Sequence, residues 1–193
     1  KIKMGNVKSI GEYFSSPVQP KKSIIIGLDA CGKTEILYKL KGIRRPSRTI
    51  GFNVEQIEYK GSVFCIWDLP GNDKERKTWG HFTEGVDYII FVVDSYNPER
   101  MEETKNVLFS FLQLKDSDIP LLIYANKQDF EAALTIDDIV EQLELYSIPS
   151  TRPWRIQPSC AITNEGLFEG LDWFLDGCPF NSERFKKVKS AKS

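Results

Sequence analysis

Apolar runs alternate with amphipathic segments along the chain, and this alternation predicts the order of its strands and helices. Runs of β-branched and aromatic residues without charges are typical of strands that are buried on both faces of a sheet. Such runs occur at residues 23–26, 88–94 (up to the terminal Asp94), 120–125 and, less clearly because it begins with Arg155, 155–159. Each is followed by a segment with apolar residues at helical spacing, at residues 35–40, 99–114, 135–145 and 164–175.

A hairpin is predicted between the first helix and the second apolar run. Residues 52–59 alternate between apolar and polar positions, as in a half-buried strand, and residues 62–67 return after a tight turn at Lys60 and Gly61. The expected fold class is therefore α/β: a doubly wound, mostly parallel six-stranded sheet with helices on both faces. A ligand is expected at the carboxyl ends of its strands.

The pattern divides the chain into an arm, one domain and a tail. Pro17 and Pro20 interrupt the chain before the first strand, so residues 1–20 are predicted to form an N-terminal arm. Residues 21–178 form the predicted domain, and residues 179–193 form a basic tail that we expect to be flexible. A chain of 193 residues is long enough for one domain with a full core.

Composition narrows the class of protein. Hydrophobic residues make up 41% and charged residues 27% of the chain, as in soluble globular proteins. The net charge of -1 gives no electrostatic reason to expect nucleic-acid binding. The four cysteines are scattered without metal-binding spacing, so we interpret them as reduced thiols of a cytosolic protein. We expect neither a transmembrane span nor a secretory signal.

The segment between the first strand and the first helix fits G-x-x-x-x-G-K-[ST], the phosphate-binding loop. In such a loop, backbone N–H groups and the helix N-terminus bind phosphate oxygens. Lys33 would reach the β- and γ-phosphates, and the Thr34 hydroxyl would ligate Mg²⁺. The residues predicted to bind the phosphates are Gly27, Leu28, Asp29, Ala30, Cys31, Gly32, Lys33 and Thr34.

Three positions near the predicted hairpin complete a candidate triphosphate site. Thr49 precedes the hairpin and is a candidate for sensing the γ-phosphate and ligating Mg²⁺. Asp68 lies at the tip of the returning strand, where a second metal-linked carboxylate is expected. Gly71 completes a D-x-x-G motif, and its N–H would bond to a γ-phosphate oxygen.

Residues 126–129 match the N-K-x-D motif at the end of a predicted strand. The Asp129 carboxylate accepts two hydrogen bonds from guanine, and adenine lacks both donors, so the motif predicts selection of guanine. The Lys127 stem would cover the base, while Asn126 would connect two loops. This motif argues against a small kinase that uses ATP.

These motifs together resemble those of the ADP-ribosylation factor (Arf and Arf-like) family of small GTPases. The similarity extends from Met4-Gly5 to about Leu175. It is nearly residue for residue in Gly27-Leu28-Asp29-Ala30-Cys31-Gly32-Lys33-Thr34, Thr49-Ile50-Gly51-Phe52-Asn53-Val54-Glu55, Trp67-Asp68, Trp79 and Ile89-Ile90-Phe91-Val92-Val93-Asp94-Ser95.

The resemblance implies a molecular switch that binds GTP or GDP with Mg²⁺ and hydrolyses GTP. It implies a final guanine loop at Ser159, Cys160 and Ala161, where the Ala161 N–H meets the base. It also implies that the hairpin shifts and the N-terminal helix leaves its groove when GTP binds. The expected partners are a guanine-nucleotide exchange factor, a GTPase-activating protein and effectors that bind a monomer at a peripheral membrane surface.

An aromatic cluster of Phe52, Trp67 and Phe82 matches the effector-binding surface of the family. The alternative is that these side chains belong to the core, above all Phe82. Because aromatic side chains are favoured anchors of interfaces, we expect Phe52 and Trp67 to contact effectors.

Two residues depart from the family pattern D-x-G-G-Q. Asn72 stands where the family has the glutamine that orients the attacking water, and its stem is one methylene shorter. Pro70 replaces a glycine, which removes a backbone donor and fixes φ. With Lys33, Gly71 and Asn72 as the candidate catalytic residues, hydrolysis is expected to be slow or dependent on an activator. The alternative is a non-hydrolysing GTP-binding recruitment module.

The two ends of the chain suggest membrane association. Met4 to Ser9 fit the N-myristoylation pattern, with Gly5 as the acceptor if Met4 is the initiator. Val7, Ile10 and Phe14 have the spacing of a short amphipathic helix, which either packs on the domain or lies on a membrane. We therefore expect a cytoplasmic protein that associates reversibly with endomembranes such as the Golgi.

Overall fold

The computed structural model describes residues 19–42, 52–114 and 118–179. The strands are β1 (Lys21–Gly27), β2 (Asn53–Tyr59), β3 (Ser62–Asp68), β4 (Tyr88–Asp94), β5 (Leu121–Asn126) and β6 (Trp154–Pro158). The helices are α1 (Lys33–Lys41), α2 (Asp73–Arg76), α3 (Met101–Leu112), α4 (Ile136–Gln142) and α5 (Leu167–Leu175). Short 3₁₀ turns occur at Trp79–Phe82, Pro98–Arg100 and Leu145–Ser147.

All six strands form one sheet in the order β2-β3-β1-β4-β5-β6. Only β2 runs antiparallel to its neighbour, and the other pairs are parallel. The predicted fold class is therefore confirmed. Because β1, β3, β4 and β5 are parallel, the loops that follow them meet at one edge of the sheet, where an open α/β sheet binds its ligands.

The central strands are apolar on both faces because each face carries a helical layer. One layer packs α3 and α4 against alternate residues of the strands, among them Ile24, Ile26, Phe91, Val93, Leu108, Phe111 and Ile139. The other layer packs α1 and α5 against the intervening residues, among them Ile25, Ile90, Val92, Ile36, Leu37, Leu171 and Phe174. Burial of such side chains contributes about 1.5–3 kcal/mol each and fixes the strands that end at the candidate site.

The α3 helix is shorter than the predicted segment 99–114. It begins at Met101 because residues 98–100 form a 3₁₀ turn that starts with a proline. It ends at Leu112, and Leu114 closes only a turn, with its N–H donating to the Phe111 carbonyl (3.0 Å).

The α4 helix is also shorter than predicted, but its start is correct. Thr135 is confirmed as the N-cap: its hydroxyl accepts from the Asp138 N–H (3.2 Å), and the Asp138 carboxylate accepts from the Thr135 N–H (3.3 Å). The helix ends at Gln142 rather than at residue 145. Glu144 has a φ of 51°, a left-handed conformation that does not continue a right-handed helix.

The strand ends shift by one or two residues from the prediction. Lys21 and Lys22 belong to β1 because their backbones pair with Phe64 and Cys65 of β3, which the polarity of the side chains does not reveal. In the hairpin between β2 and β3, Lys60 and Gly61 both have positive φ, as in the two-residue turn that matches the twist of the strands.

Several predictions fall outside the described residues. They concern Gly5, the arm helix at Val7, Ile10 and Phe14, the γ-phosphate candidate Thr49, and the basic tail. Within the described ranges, the helices are too short or too polar to cross a bilayer. All four cysteines lie in these ranges and are free thiols.

Candidate functional site

The loop between β1 and α1 needs its glycines because the chain passes close to neighbouring groups. Gly27 has a φ of 144°, and a Cβ there would lie 2.4 Å from the Val92 carbonyl oxygen. Gly32 has a φ of 99°, and a Cβ there would lie 2.3 Å from Asn126 Nδ2. Any larger residue would therefore displace the backbone that begins α1. The loop has the strand-to-helix geometry that presents N–H groups to an anion.

Lys33 is buried and its ammonium group lies over this loop. Nζ donates to the carbonyl oxygens of Gly27 (3.1 Å) and Leu28 (2.6 Å). The Sγ of Cys31 lies 3.7 Å from the same nitrogen. The pKa of the Cys31 thiol is raised, chiefly by burial, so this cysteine stays neutral beside the ammonium group. The positive charge of Lys33 is therefore free of a carboxylate partner among the described residues and faces the loop that would hold phosphates.

Thr34 and Asp68 are brought together although 34 residues separate them. Pairing of β1 with β3 places Asp68 opposite Ile25, and the Leu69 N–H donates to the Ile25 carbonyl (3.1 Å). The Thr34 hydroxyl then donates to Asp68 Oδ2 at 2.5 Å. Two oxygen-bearing side chains thus meet beside the loop, and Thr49 lies outside the described residues.

Gly71 packs against the phosphate-binding loop itself. A Cβ on this residue would lie 2.5 Å from the Gly27 carbonyl oxygen and 2.6 Å from the Asp29 nitrogen. Only glycine fits this contact without movement of one of the two backbones. The segment after β3 therefore lies directly on the loop, beside the backbone of Asp29.

Asn72 caps the short helix α2. Its Oδ1 accepts from the Glu75 N–H (3.1 Å), and its Nδ2 donates to the Glu75 carboxylate. Both ends of the amide are thus engaged within the segment. Asparagine is among the best N-cap residues. The sequence analysis did not identify Glu75 as a partner, although S/T/D/N followed three residues later by Glu is a known start signal for a helix.

Pro70 is held by a hydrogen bond from an indole side chain later in the same segment. Its carbonyl oxygen accepts from Trp79 Nε1 (2.8 Å). Trp79 is itself buried and meets Phe111 of α3 edge to face, with ring centroids 5.8 Å apart. The chain after β3 is therefore held to α3 as well as to the phosphate-binding loop.

An ionic chain links the phosphate-binding loop to α3 and α2. Arg100 Nη2 lies 2.8 Å from Asp29 Oδ1, and Arg100 Nε lies 2.9 Å from Glu103 Oε2. Arg76 of α2 pairs with the other oxygen of Glu103 (2.9 Å) and with Asp73 (3.0 Å). The hydrogen bond from Arg100 lowers the pKa of Asp29 and of Glu103, with a smaller contribution from Arg76 at Glu103. The sequence analysis missed this ionic chain, because no motif includes Arg100 or Glu103.

Asn126 connects the two loops that the N-K-x-D motif was expected to join. It is buried, and its Nδ2 donates to the Cys31 carbonyl (2.9 Å) while its Oδ1 accepts from the Ala161 N–H (3.0 Å). Lys127 has a φ of 70°, and its Nζ lies 2.6 Å from Asp94 Oδ2. Asp94, which sequence reasoning did not single out, thus fixes the lysine expected to cover the base.

The remaining candidates for contact with the base lie around Asn126. Asp129 is exposed, as a residue that accepts bonds from a ligand must be. Ser159 and Cys160 are buried, and the Ser159 carbonyl accepts from the Gln128 N–H (3.1 Å). The loops after β5 and β6 therefore form one unit beside the phosphate-binding loop.

Phe52, Trp67 and Phe82 form one aromatic cluster at the hairpin edge of the sheet. Phe52 stacks on Trp67 with centroids 5.5 Å apart, and Phe82 lies 5.3 Å from Phe52 and 5.9 Å from Trp67. Phe52 is 51% exposed, whereas Trp67 and Phe82 are half-buried and pack against the core. The cluster is thus partly core and partly open surface.

Two comparisons with known proteins agree with this geometry. The model of the ADP-ribosylation factor family matches residues 8–178. The structure is also similar to that of the Arl6 BBS3 small GTPase from Trypanosoma brucei with bound nucleotide analogue GppNp. That similarity has a TM-score of 0.77 and 30% sequence identity, and it covers 82% of this chain and 97% of the relative. The chain therefore belongs to the ADP-ribosylation factor family of small GTPases, which are GTP-binding switches.

Proposed function

We propose that this chain is an Arf-type switch that recruits effectors at endomembranes such as the Golgi and hydrolyses GTP slowly or only with an activating partner. The observation that carries the proposal is Asn72. It stands where the family has a catalytic glutamine, and its amide is engaged at both ends by Glu75.

The proposed nucleotide site uses three groups of residues. Residues 27–34 would hold the phosphates, with Lys33 compensating their charge. The loops at 126–129 and 159–161 would hold guanine. Support comes from Asn126, which hydrogen-bonds to both the phosphate-binding loop and Ala161.

Magnesium is proposed as the cofactor of this site. Thr34 and Asp68 would hold it, because Mg²⁺ prefers oxygen ligands and these two side chains lie within 2.5 Å of each other. The ion would offset phosphate charge in the reaction. Thr49 is the proposed third oxygen donor.

Slow hydrolysis follows from the length and the engagement of the Asn72 side chain. Its amide would lie about 1 Å short of the water that the family glutamine orients, and such misplacement can reduce a rate about a hundredfold. Its bonds to Glu75 also compete with any bond to water. An arginine supplied by an activating partner can raise the rate of GTP hydrolysis by roughly 10³–10⁵.

Effector binding is proposed at the aromatic cluster of Phe52, Trp67 and Phe82. The half-exposed Phe52 stacks on Trp67 and supplies a rigid apolar anchor, which is the kind of residue that dominates interfaces. Gly5 as a lipidation site and the basic tail would supply membrane affinity, since one acyl chain alone anchors only marginally.

A second candidate is a GTP-binding recruitment module that does not hydrolyse GTP. Asn72 and Pro70 are the features that separate the two candidates, and they favour slow hydrolysis without proving that hydrolysis is absent. The Pro70 carbonyl is bound to Trp79, so the segment that carries Asn72 is held away from alternative positions. The two candidates differ only in whether an activator or a longer side chain restores the reaction.

Single-turnover hydrolysis of bound GTP tests the role of Asn72. We expect Asn72→Gln to hydrolyse GTP at least about tenfold faster than the unmodified protein, as part of the hundredfold loss is recovered. Glu75→Ala removes the carboxylate that accepts from Asn72 Nδ2, keeps the backbone N–H that caps through Oδ1, and leaves the stem short, so it is expected to stay slow. Asn106→Gln, at an exposed position on α3, is the matched control.

The outcomes separate the alternatives. Rapid hydrolysis by the unmodified protein would contradict the proposal. Faster hydrolysis by Glu75→Ala alone would show that engagement by Glu75, and not stem length, limits the rate. Intact GTP in every variant, including in the presence of a soluble arginine-donating activator, would favour the non-hydrolysing module.

A further inference from the structure

We propose that Arg100 determines the preference of this site for a triphosphate over a diphosphate, because it pairs with the carboxylate of Asp29 on the phosphate-binding loop. The inference rests on the proposed placement of the phosphates at residues 27–34. It adds a residue at the start of α3, in the 3₁₀ turn of residues 98–100, that lies outside every motif described above.

Asp29 lies with its backbone beside Gly71, which is proposed to bind the γ-phosphate. Its backbone nitrogen would be 2.6 Å from a Cβ on Gly71, the residue whose N–H is predicted to bind that phosphate. Its side chain is 57% exposed, so its charge faces the solvent around the loop. A carboxylate in such a place repels the anionic group that the loop must hold.

Arg100 compensates this charge from a fixed position. Its Nη2 lies 2.8 Å from Asp29 Oδ1, and its Nε is held at 2.9 Å by Glu103. Glu103 is in turn paired with Arg76 of α2 (2.9 Å), so two elements hold the arginine in place. The pKa of Asp29 is lowered chiefly by its hydrogen bond to Arg100, and the pair therefore stays charged at neutral pH.

The expected effect differs between the two nucleotides because a Coulomb interaction falls with distance. GTP carries an additional phosphate on the Asp29 side of the loop, whereas GDP ends at the β-phosphate near Lys33. Loss of Arg100 would leave the negative charge of Asp29 uncompensated. It would therefore weaken the binding of GTP more than the binding of GDP. For a partly exposed charge pair, the expected change in the GDP-to-GTP affinity ratio is about fivefold.

The test is a double-mutant cycle on the full chain. Dissociation constants for GDP and for the non-hydrolysable analogue GppNp, each with Mg²⁺, are measured for Arg100→Gln, Asp29→Asn and the double variant. Lys105→Gln is the control, since Lys105 lies on α3 shortly after Arg100, and its ion pairs within the described residues are with Glu102 (3.1 Å) and Glu144 (3.3 Å).

We expect Arg100→Gln to weaken the binding of GppNp about fivefold more than the binding of GDP. Asp29→Asn should shift the affinity ratio toward GppNp relative to the unmodified protein. The affinity ratio of the double variant should lie within twofold of that of Asp29→Asn. Lys105→Gln should leave the ratio unchanged. This rescue would not occur if Arg100 only stabilised the fold.

An unchanged ratio in Arg100→Gln, or a double variant that behaves like Arg100→Gln alone, would overturn the inference. Lys33→Ala separates this failure from failure of the proposed site. If Lys33→Ala binds both nucleotides normally, the phosphates lie elsewhere and the proposed site is wrong. If Lys33→Ala no longer binds either nucleotide while Arg100→Gln leaves the affinity ratio unchanged, the proposed site is retained and only the role of Arg100 is wrong.

Discussion

At the scale of single residues, Asn126 shows how one side chain holds separate loops in one site. It is 1% exposed, and its amide bonds to the Cys31 carbonyl and the Ala161 N–H. Its Nδ2 also occupies the space that a Cβ on residue 32 would need. The phosphate-binding loop and the proposed guanine loop therefore depend on the same buried group.

Replacement of Asn126 by alanine is expected to destabilise the protein by about 1–3 kcal/mol for each buried group left without its partner. The free energy of unfolding in urea measures this loss, and nucleotide affinity should fall with it. Replacement of the exposed Asn106 by alanine is the control and should change stability by less than about 0.5 kcal/mol. An Asn126→Ala variant as stable as this control would contradict the role given to the side chain.

The sequence predicted the site residues that belong to local motifs, and it missed those that act through distant contacts. Lys33 and Asp129 were predicted as site residues because their spacing from glycine and asparagine matches motifs with a known chemistry. Arg100 was missed because it meets Asp29 across 71 residues of chain. Such a contact depends on how α3 packs against β1, which no local pattern encodes.

At the scale of elements, short helices in this protein depend on their caps. The α2 helix has four residues and α4 has seven, too few for either to be stable alone. Asn72 caps α2 and Thr135 caps α4, each through an acceptor oxygen that binds a backbone N–H. The capped α4 buries Ile139 in the core, and the capped α2 places Arg76 against Glu103.

Thr135→Ala is expected to destabilise the domain by about 1 kcal/mol, because it removes the hydroxyl that accepts from the Asp138 N–H and donates to the Asp138 carboxylate. Thr135→Asp should retain most of the stability, since aspartate also caps well. Chemical denaturation of the two variants checks this difference. Equal stability of Thr135→Ala and the unmodified protein would show that tertiary packing alone fixes α4.

Element types were predictable, but their ends and contacts were not. The start of α4 carries a local signal at Thr135, whereas its end depends on the left-handed conformation of Glu144. The hairpin turn at Lys60 was predicted from its sequence. The ion pair of Lys60 with Asp172 of α5 (2.6 Å) joins residues that are 112 positions apart and emerges only from the packed fold.

At the scale of the whole molecule, an ionic chain runs from the phosphate-binding loop through α3 to α2. It joins Asp29, Arg100, Glu103 and Arg76 with contacts of 2.8–2.9 Å. The folded pKa values of Asp29 and Glu103 lie below their ordinary values of 3.8 and 4.5. A carboxyl group with a lowered folded pKa stabilises the fold above its unfolded pKa and loses that contribution as the pH falls through the folded value.

The melting temperature should therefore stay flat down to about pH 5 and decrease between about pH 4.5 and pH 3. Protonation of the two carboxylates in the ionic chain should cause part of this decrease. A variant with both Asp29→Asn and Glu103→Gln should show a smaller decrease over the same interval. Differential scanning calorimetry from pH 7 to pH 3 gives the comparison. If the variant and the unmodified protein lose stability in parallel, the ionic chain contributes nothing to the acid response.

The fate of bound GTP tests the central claim most directly. The purified protein is loaded with GTP and Mg²⁺ and freed of excess nucleotide. After several hours of incubation it is denatured, and the released nucleotide is identified by chromatography. We predict that most of it is still GTP, because Asn72 lacks the reach of the family glutamine and is engaged by Glu75. Release of mostly GDP would contradict the account of a long-lived GTP-bound switch.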